Sequence, residues 1–171
     1  EGITKAVVEP LRILVLGRSN AGKSNLINVL FGELTTATDV LPDTTQNLTP
    51  FVLSREGLTQ ALIFDSPGCD SSFFDAKQML AAAENADLIL WVSSVNRPDR
   101  QIERDFLDAL RAVQSAQMDR RPPPLLIVAS FIDQLRPVNE WRPPYDLTDR
   151  RNIKATNINA AVRAIAADLM V

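Results

Sequence analysis

Residues 17–24, GRSNAGKS, restrict the fold of this chain more than any other segment. They fit G-x-x-x-x-G-K-[ST] at every fixed position, between an apolar run at residues 11–16 and a segment with helical spacing that begins at Lys23. A strand, a tight glycine loop and a helix in this order predict a cradle of backbone N–H groups for a phosphate chain. The nearly unbroken apolar run predicts a central strand, buried on both faces of a sheet.

This phosphate loop divides its tasks among a few residue types. Lys23 is predicted to reach the terminal phosphates, and Ser24 to bind magnesium. The alternative is a glycine loop with an exposed lysine, and Arg18 could equally serve a partner or lie exposed with no special role. The predicted nucleotide-binding residues of this segment are Gly17, Arg18, Ser19, Asn20, Ala21, Gly22, Lys23, Ser24 and Asn25.

Apolar runs and helical segments alternate along the rest of the chain. Strands are predicted at residues 11–16, 51–53, 60–64, 88–92 and 125–129. Helices are predicted at residues 23–31, 75–85 and 99–117, with a last helix capped by Thr156 or Asn157 and a strand beginning at residues 169–171. This order predicts an α/β fold of three layers: a mainly parallel sheet with one antiparallel hairpin strand and helices on both faces.

Composition excludes several classes of protein. The chain of 171 residues is 46% apolar and 23% charged, as expected for one globular domain. A single cysteine, Cys69, and no histidine exclude an intramolecular disulfide and histidine catalysis, and leave zinc, haem and iron–sulfur clusters without their usual ligands. The net charge of −3 carries no direct nucleic-acid signal. With no apolar run of about 18 residues and no leader, we expect a cytoplasmic protein without a transmembrane segment.

Residues 65–68, DSPG, follow the predicted strand at residues 60–64. The carboxylate of Asp65 can hold magnesium through water, and the N–H of Gly68 can approach a γ-phosphate. The same four residue types also favour an ordinary turn. Because a phosphate loop precedes them, we predict that Asp65 and Gly68 belong to the nucleotide site.

A second carboxylate, Asp133, ends the segment SFID at residues 130–133, after the last predicted strand. A carboxylate there could accept both N–H donors of the Watson–Crick edge of guanine, whereas adenine would present an acceptor. An unpaired charge against the wrong base is costly, so Asp133 is predicted to select guanine. The alternative is a solvated aspartate or a helix cap.

Together, these motifs resemble the Ras-like superfamily of P-loop GTPases. GRSNAGKS, the DTTQ of residues 43–46 and DSPG look most similar to the bacterial Era and TrmE branch, over residues 11–129. The resemblance implies a switch that binds GTP or GDP with Mg²⁺ and hydrolyses GTP by attack of water. It also implies that Thr45 joins Ser24 and Asp65 at the metal. Thr44 is the second candidate, and both threonines could be ordinary loop residues.

The resemblance further implies that Lys23, Thr45 and Gly68 form the catalytic set. In the family, a glutamine that orients the attacking water follows the glycine that matches Gly68. This chain has Cys69 at that position, so we expect slow intrinsic turnover. Asn20 matches an asparagine that helps hold potassium in some members, although it could simply stabilise the loop.

The guanine motif and the end of the chain depart from the family pattern. Ser130 and Phe131 replace the asparagine and lysine of Asn-Lys-x-Asp, and Phe131 could stack on the base instead. The final guanine loop would fall after Val171. The expected organisation is therefore a single GTP-binding domain over residues 1–171 that lacks the last strand and helix.

Two other functions fit the same motifs. One is an ATPase of the same loop class, favoured by the irregular SFID segment, and the other is a nucleotide-locked interaction module with negligible turnover, favoured by Cys69. The effector is open: the resemblance allows a protein or a ribonucleoprotein, a nucleotide-dependent dimer, and membrane association through further domains.

Overall fold

The computed structural model describes residues 9–31, 48–53, 60–116, 121–138 and 146–170. The strands of this part of the chain are β1 (Leu11–Gly17), β2 (Thr49–Leu53), β3 (Ala61–Asp65), β4 (Leu88–Ser94) and β5 (Leu125–Ser130). Its α-helices are α1 (Lys23–Phe31), α2 (Ala76–Glu84), α3 (Gln101–Ala116) and α4 (Ile153–Leu169), and a short 3₁₀ turn covers Ile132–Gln134.

The described strands form one sheet in the order β2-β3-β1-β4-β5. Strand β2 runs antiparallel to β3, and the other neighbouring pairs are parallel, which confirms the expected α/β sheet with its single antiparallel strand. Strand β1 is central, as its apolar run predicts. Parallel pairing brings the carboxyl ends of β1, β3, β4 and β5 to one edge, where Val15 pairs with Asp65 and Ser94 with Ser130.

The two faces of the sheet carry separate apolar clusters, because successive side chains of a strand point to opposite sides. Leu14 and Leu16 pack on one side with residues of α2, α3 and α4, while Val15 packs on the other with Ile27 of α1. Trp91 is fully buried in the first cluster. The helices therefore cover both faces, and the loop between β1 and α1 crosses the edge of the sheet.

Strand β2 begins earlier than predicted. The sequence places residues 49 and 50 in a polar loop, but the structure pairs Thr49 with Asp65 and Pro50 with Phe64. Proline lacks the N–H that a central strand requires, and β2 lies at the edge of the described sheet, where this is tolerated.

The start of the last helix differs from the prediction. Helix α4 is capped by Asn152, whose side chain accepts the N–H of Ala155 at 3.0 Å. Thr156 lies inside the helix, and its hydroxyl donates to the carbonyl of Asn152 at 3.0 Å. Asn157 is likewise helical. Both predicted caps are therefore wrong, because Asn152 caps the helix and begins it about one turn earlier.

The predicted strand at residues 169–171 is also wrong where it can be compared. Leu169 is the last residue of α4, and Met170 caps the helix by donating its N–H to the carbonyl of Ala166. Val171, Thr44, Thr45, the hairpin turn at residues 55–57 and Trp141 lie outside the described residues.

Candidate functional site

The first residue of the phosphate loop packs closely against the neighbouring strand β4. Gly17 ends β1 with φ +143°, and a Cβ built there would lie 2.2 Å from the carbonyl oxygen of Val92. No side chain fits this close approach. Asn20 follows with φ +59°, a left-handed conformation that asparagine tolerates better than most residues. This backbone supports the loop-stabilising alternative for Asn20, and its role as a potassium ligand stays a prediction.

Lys23 folds over the loop that precedes it. The side chain is 7% exposed, and Nζ donates to the carbonyl oxygens of Gly17 at 3.3 Å and Arg18 at 2.9 Å. An ammonium group held over this loop is where a phosphate chain would need positive charge. The first turn of α1, which includes the exposed Asn25, adds the N–H groups that helix N-termini present to anions.

Two predicted magnesium ligands meet between β3 and α1. The hydroxyl of Ser24 donates to Asp65 Oδ2 at 2.8 Å, and the Asp65 side chain is buried at the end of β3. A hydroxyl and a carboxylate are hard oxygen donors, which suit Mg²⁺. Within the described ranges, no three Cys, Asp or Glu side chains form a metal cluster, and Ser24 and Asp65 are the two predicted ligands that the structure brings together. Thr45, the third predicted ligand, lies outside the described residues.

The segment after β3 lies directly on the phosphate loop. A Cβ built at Gly68 would lie 2.2 Å from both the backbone nitrogen and Oγ of Ser19. The N–H of Cys69 donates to the carbonyl of Gly17 at 3.1 Å, and Ser66 Oγ donates to the carbonyl of Val15 at 2.8 Å. The structure thus brings Gly68 into contact with the loop, with no room for a side chain between them, and its approach to a γ-phosphate stays a prediction.

Asp70 joins these two segments, and we call its contacts the Asp70 clasp. Its carboxylate accepts the backbone N–H of Ser19 at 2.6 Å and Nε of Arg18 at 3.2 Å, and lies 3.7 Å from the guanidinium of Arg97. Arg18 also donates to the carbonyl of Asp99 at 2.9 Å. Asp70 was not predicted from the sequence, although its position two residues after Gly68 was a usable signal.

The two residues after Gly68 differ in ionisation. Burial raises the pKa of the Cys69 thiol to about 12, with repulsion from Glu103 and Asp70 adding to the effect. At neutral pH the thiol is protonated and is no base for water. Burial also raises the pKa of Asp70, but the hydrogen bonds from Ser19 and Arg18 outweigh it and lower the pKa below 3.8.

The Asp70 clasp predicts a pH-dependent contribution to stability. Asp70→Asn should lower the free energy of unfolding by about 1 kcal/mol or less at pH 7, because the carboxylate is partly exposed. Since the folded pKa is lowered, this contribution is present above the ordinary value of 3.8 and is lost as pH falls through the folded value. Urea unfolding at a series of pH values measures it.

Asp108→Asn is the matched control for Asp70→Asn, because Asp108 pairs only with Arg111 of its own helix among the contacts described, and its side chain is 66% exposed. We expect Asp108→Asn to leave the free energy of unfolding almost unchanged. Equal losses in the two variants, or a difference between Asp70→Asn and the parent that persists at low pH, would contradict a clasp held by charge.

The segment after β5 approaches the phosphate loop from the other side. Phe131 has φ +59°, and a Cβ built at Gly22 would lie 3.8 Å from its Cε2 and 3.7 Å from Cβ of Ser130. Asp133 follows in the 3₁₀ turn with its side chain exposed, and its carbonyl accepts Nζ of Lys154 at 2.6 Å. Ser130 and Phe131 thus adjoin the loop, while base recognition by Asp133 and stacking by Phe131 stay predictions.

A central parallel strand, a glycine loop and a helix that begins at the lysine of that loop define a P-loop nucleotide-binding domain. The sequence profile of the family described as 50S ribosome-binding GTPases matches residues 12–129. The chain belongs to this family.

The similar proteins agree with this assignment. GTPase Era of Clostridioides difficile is 30% identical over 146 residues, covering 82% of this chain and 46% of Era. The tRNA modification GTPase MnmE of Lachnoclostridium phytofermentans is 29% identical over 112 residues, covering 63% of this chain and 24% of MnmE. The crystal structure of Era with MgGDPNP and nucleotides 1506–1542 of 16S ribosomal RNA superposes with a TM-score of 0.65 at 17% identity, covering 94% of this chain and 48% of that one.

The resemblance to the Era and TrmE branch is therefore confirmed. The chain spans about half the length of the curated Era it matches. Of the helices in the described ranges, none has the length and apolar character needed to cross a bilayer.

Proposed function

We propose that this domain binds guanine nucleotide with Mg²⁺ and hydrolyses GTP to GDP and phosphate as a conformational switch. The observation that carries the proposal is the contact between Ser24 and Asp65, which joins the phosphate loop to the DSPG segment at 2.8 Å. Buried Lys23 lies in the same loop. Membership of a GTPase family and the MgGDPNP bound to Era support the guanine nucleotide and the metal.

The side chains of this loop have clear tasks in that reaction. Lys23 exchanges the carbonyls of Gly17 and Arg18 for phosphate oxygens, which carry more negative charge and form stronger hydrogen bonds with an ammonium group. Asp65 orients the Ser24 hydroxyl, from which its carboxylate accepts a hydrogen bond. Bound magnesium supplies charge neutralisation to the β- and γ-phosphates. Water is the nucleophile, and the protonated Cys69 thiol takes no part in activating it.

The switch is proposed to act through the segment that follows β3. Gly68 lies against Ser19, and the Asp70 clasp fastens the next two residues to the loop. A γ-phosphate bound at the loop would bear directly on that contact, and its loss on hydrolysis would change it. Thr45, proposed as the second γ-phosphate sensor, completes the catalytic set with Lys23 and Gly68.

Competition binding tests the nucleotide assignment. A fluorescent GTP analogue is displaced by GTP, GDP or ATP, with Mg²⁺ and with chelator. We expect GTP and GDP to displace it and ATP to fail. If ATP displaces the analogue as well as GTP does, Asp133 does not select guanine and the ATPase alternative holds. If no purine triphosphate binds in the presence of Mg²⁺, the whole proposal fails.

A nucleotide-locked module with negligible turnover is the second candidate, because a thiol with a pKa of about 12 occupies the position of the family's water-orienting glutamine. We propose that turnover is slow rather than absent. A single-turnover assay in potassium and in sodium separates the two. Phosphate release in either salt removes the locked module, and release stimulated only by potassium supports Asn20 as a cation ligand.

The effector is proposed from the family alone. The Era structure contains a 16S rRNA segment, so a ribonucleoprotein is one proposed partner class for this protein. The pI near 5.0 argues against direct RNA docking by residues 1–171 themselves. A nucleotide-dependent dimer, membrane association, and the organisation of residues 1–171 as a single GTP-binding domain remain proposals of the same kind.

A further inference from the structure

Lys154 is a buried cation to which the nucleotide motifs assign no task. It lies in the first turn of α4, and its side chain is 0% exposed. Nζ donates to the carbonyl oxygen of Asp133 at 2.6 Å and to that of Leu135. Burying a charge is costly unless hydrogen bonds compensate for it. The ammonium group therefore depends on the backbone of the 3₁₀ turn, and the turn depends on Lys154.

The same stretch of backbone has a second attachment to α4. Asn157, one turn after Lys154, donates to the carbonyl of Arg136 at 2.7 Å. The Asn152 cap fixes where α4 begins, and thus where Lys154 lies along it. Three carbonyls between residues 133 and 136 are therefore held by side chains from the start of one helix.

This attachment bears on the one carboxylate predicted to select the base. The Asp133 side chain is exposed, so the position of its backbone carbonyl is what the structure fixes. Accepting two parallel N–H donors from a planar base requires accurate placement, and an error of about 1 Å in a positioned group is costly.

We propose that Lys154 is a positioning residue for guanine recognition, acting through the backbone of Asp133 and Leu135. It holds the 3₁₀ turn so that the Asp133 carboxylate faces the Watson–Crick edge of the base, and it does not touch the nucleotide. The inference rests on the proposed function, and it names a residue outside the four-residue guanine motif as a determinant of base selectivity.

The ratio of GTP to ITP affinity tests this role. Inosine lacks the exocyclic amine of guanine but keeps the rest of the base and the triphosphate, so the ratio isolates one of the two hydrogen bonds to Asp133. Lys154→Met keeps the length of the side chain and removes the donors. We expect the GTP/ITP ratio to fall by about 10-fold, with a smaller loss of ITP affinity than of GTP affinity, because ITP keeps only one of the two hydrogen bonds to Asp133. Displacement of a fluorescent GTP analogue measures both affinities.

Two variants calibrate the result. Asp133→Ala should bring the ratio near one and defines the full loss. Ile165→Ala, in the buried core side of the same helix, should lower the free energy of unfolding without changing the ratio. If Lys154→Met does not fold, Lys154→Gln, which is shorter and cannot span both carbonyls, takes its place with the same expected fall in the ratio.

The outcomes separate this inference from the function on which it rests. If the parent protein does not prefer GTP to ITP, the assignment of guanine recognition to Asp133 fails first. If the parent shows the preference and the Lys154 variant keeps it, Lys154 does not position Asp133. Equal losses of GTP and ITP affinity in the variant would show a general structural role, which also overturns the inference.

Discussion

Replacing Lys23 by alanine should lower GTP hydrolysis by about 100-fold or more, since preorganised charge aimed at developing negative charge is usually the largest catalytic term. Lys23 is the cation of the phosphate loop, and its Nζ lies on the carbonyls of Gly17 and Arg18. Alanine removes both the charge that neutralises phosphate and the groups that donate to the loop. Triphosphate affinity should fall as well. Steady-state phosphate release from the variant and from the unsubstituted protein measures the rate.

Lys77→Ala is the matched control for Lys23→Ala. Lys77 lies on α2 with its side chain exposed, so the same change of charge occurs away from the loop. Its hydrolysis rate should equal that of the parent protein. Hydrolysis that survives Lys23→Ala unchanged, or that falls equally in both variants, would contradict the role assigned to Lys23.

The parts of the fold that could be predicted are those encoded by short-range patterns. The apolar run at residues 11–16 predicted a central strand because a strand buried on both faces shows no alternation of polar and apolar residues. The glycine loop and the helix from Lys23 followed from local spacing, and the structure has α1 at Lys23–Phe31. The Ser24–Asp65 contact was predictable because parallel strands end at one edge of the sheet.

The parts that could not be predicted depend on contacts between distant segments. Thr156 and Asn157 are good capping residues, but the competition among several polar residues was settled by Asn152. A lysine within an amphipathic segment is normally exposed, and nothing local indicates that Lys154 is buried on carbonyls 19 and 21 residues earlier. The Asp70 clasp likewise joins residues about fifty positions apart. Sequence spacing does not show which distant residues such a carboxylate or ammonium group contacts.

These long-range contacts position the segments that carry the predicted nucleotide-binding residues. Lys154 holds the backbone of the base-recognition turn, and the Asp70 clasp holds the segment after β3 on the phosphate loop. In both cases a charged group binds backbone rather than substrate. Among the motif residues, Arg18 uses its side chain in these contacts, because its guanidinium is bound by Asp70 and by the carbonyl of Asp99.

The second large effect is expected from Gly68→Ala. The added Cβ would lie 2.2 Å from the nitrogen and Oγ of Ser19 and 2.6 Å from its Cα, so backbone must move. The segment after β3 would separate from the phosphate loop, which loses the hydrogen bond from Cys69 to Gly17 and strains the Asp70 clasp. Displacing a positioned group by about 1 Å costs a rate of about 100-fold, and we expect GTP hydrolysis to fall by that amount.

Affinity for GDP separates this effect from general damage. Gly68 is proposed to meet the γ-phosphate, which GDP lacks, so GDP should bind Gly68→Ala nearly as well as the parent protein. Ser72→Ala, an exposed change in the same loop, is the control and should alter neither rate nor affinity. If Gly68→Ala hydrolyses GTP at the parent rate, the close contact with Ser19 has no part in turnover. If it loses GDP binding together with hydrolysis, Gly68 supports the whole loop rather than sensing the γ-phosphate.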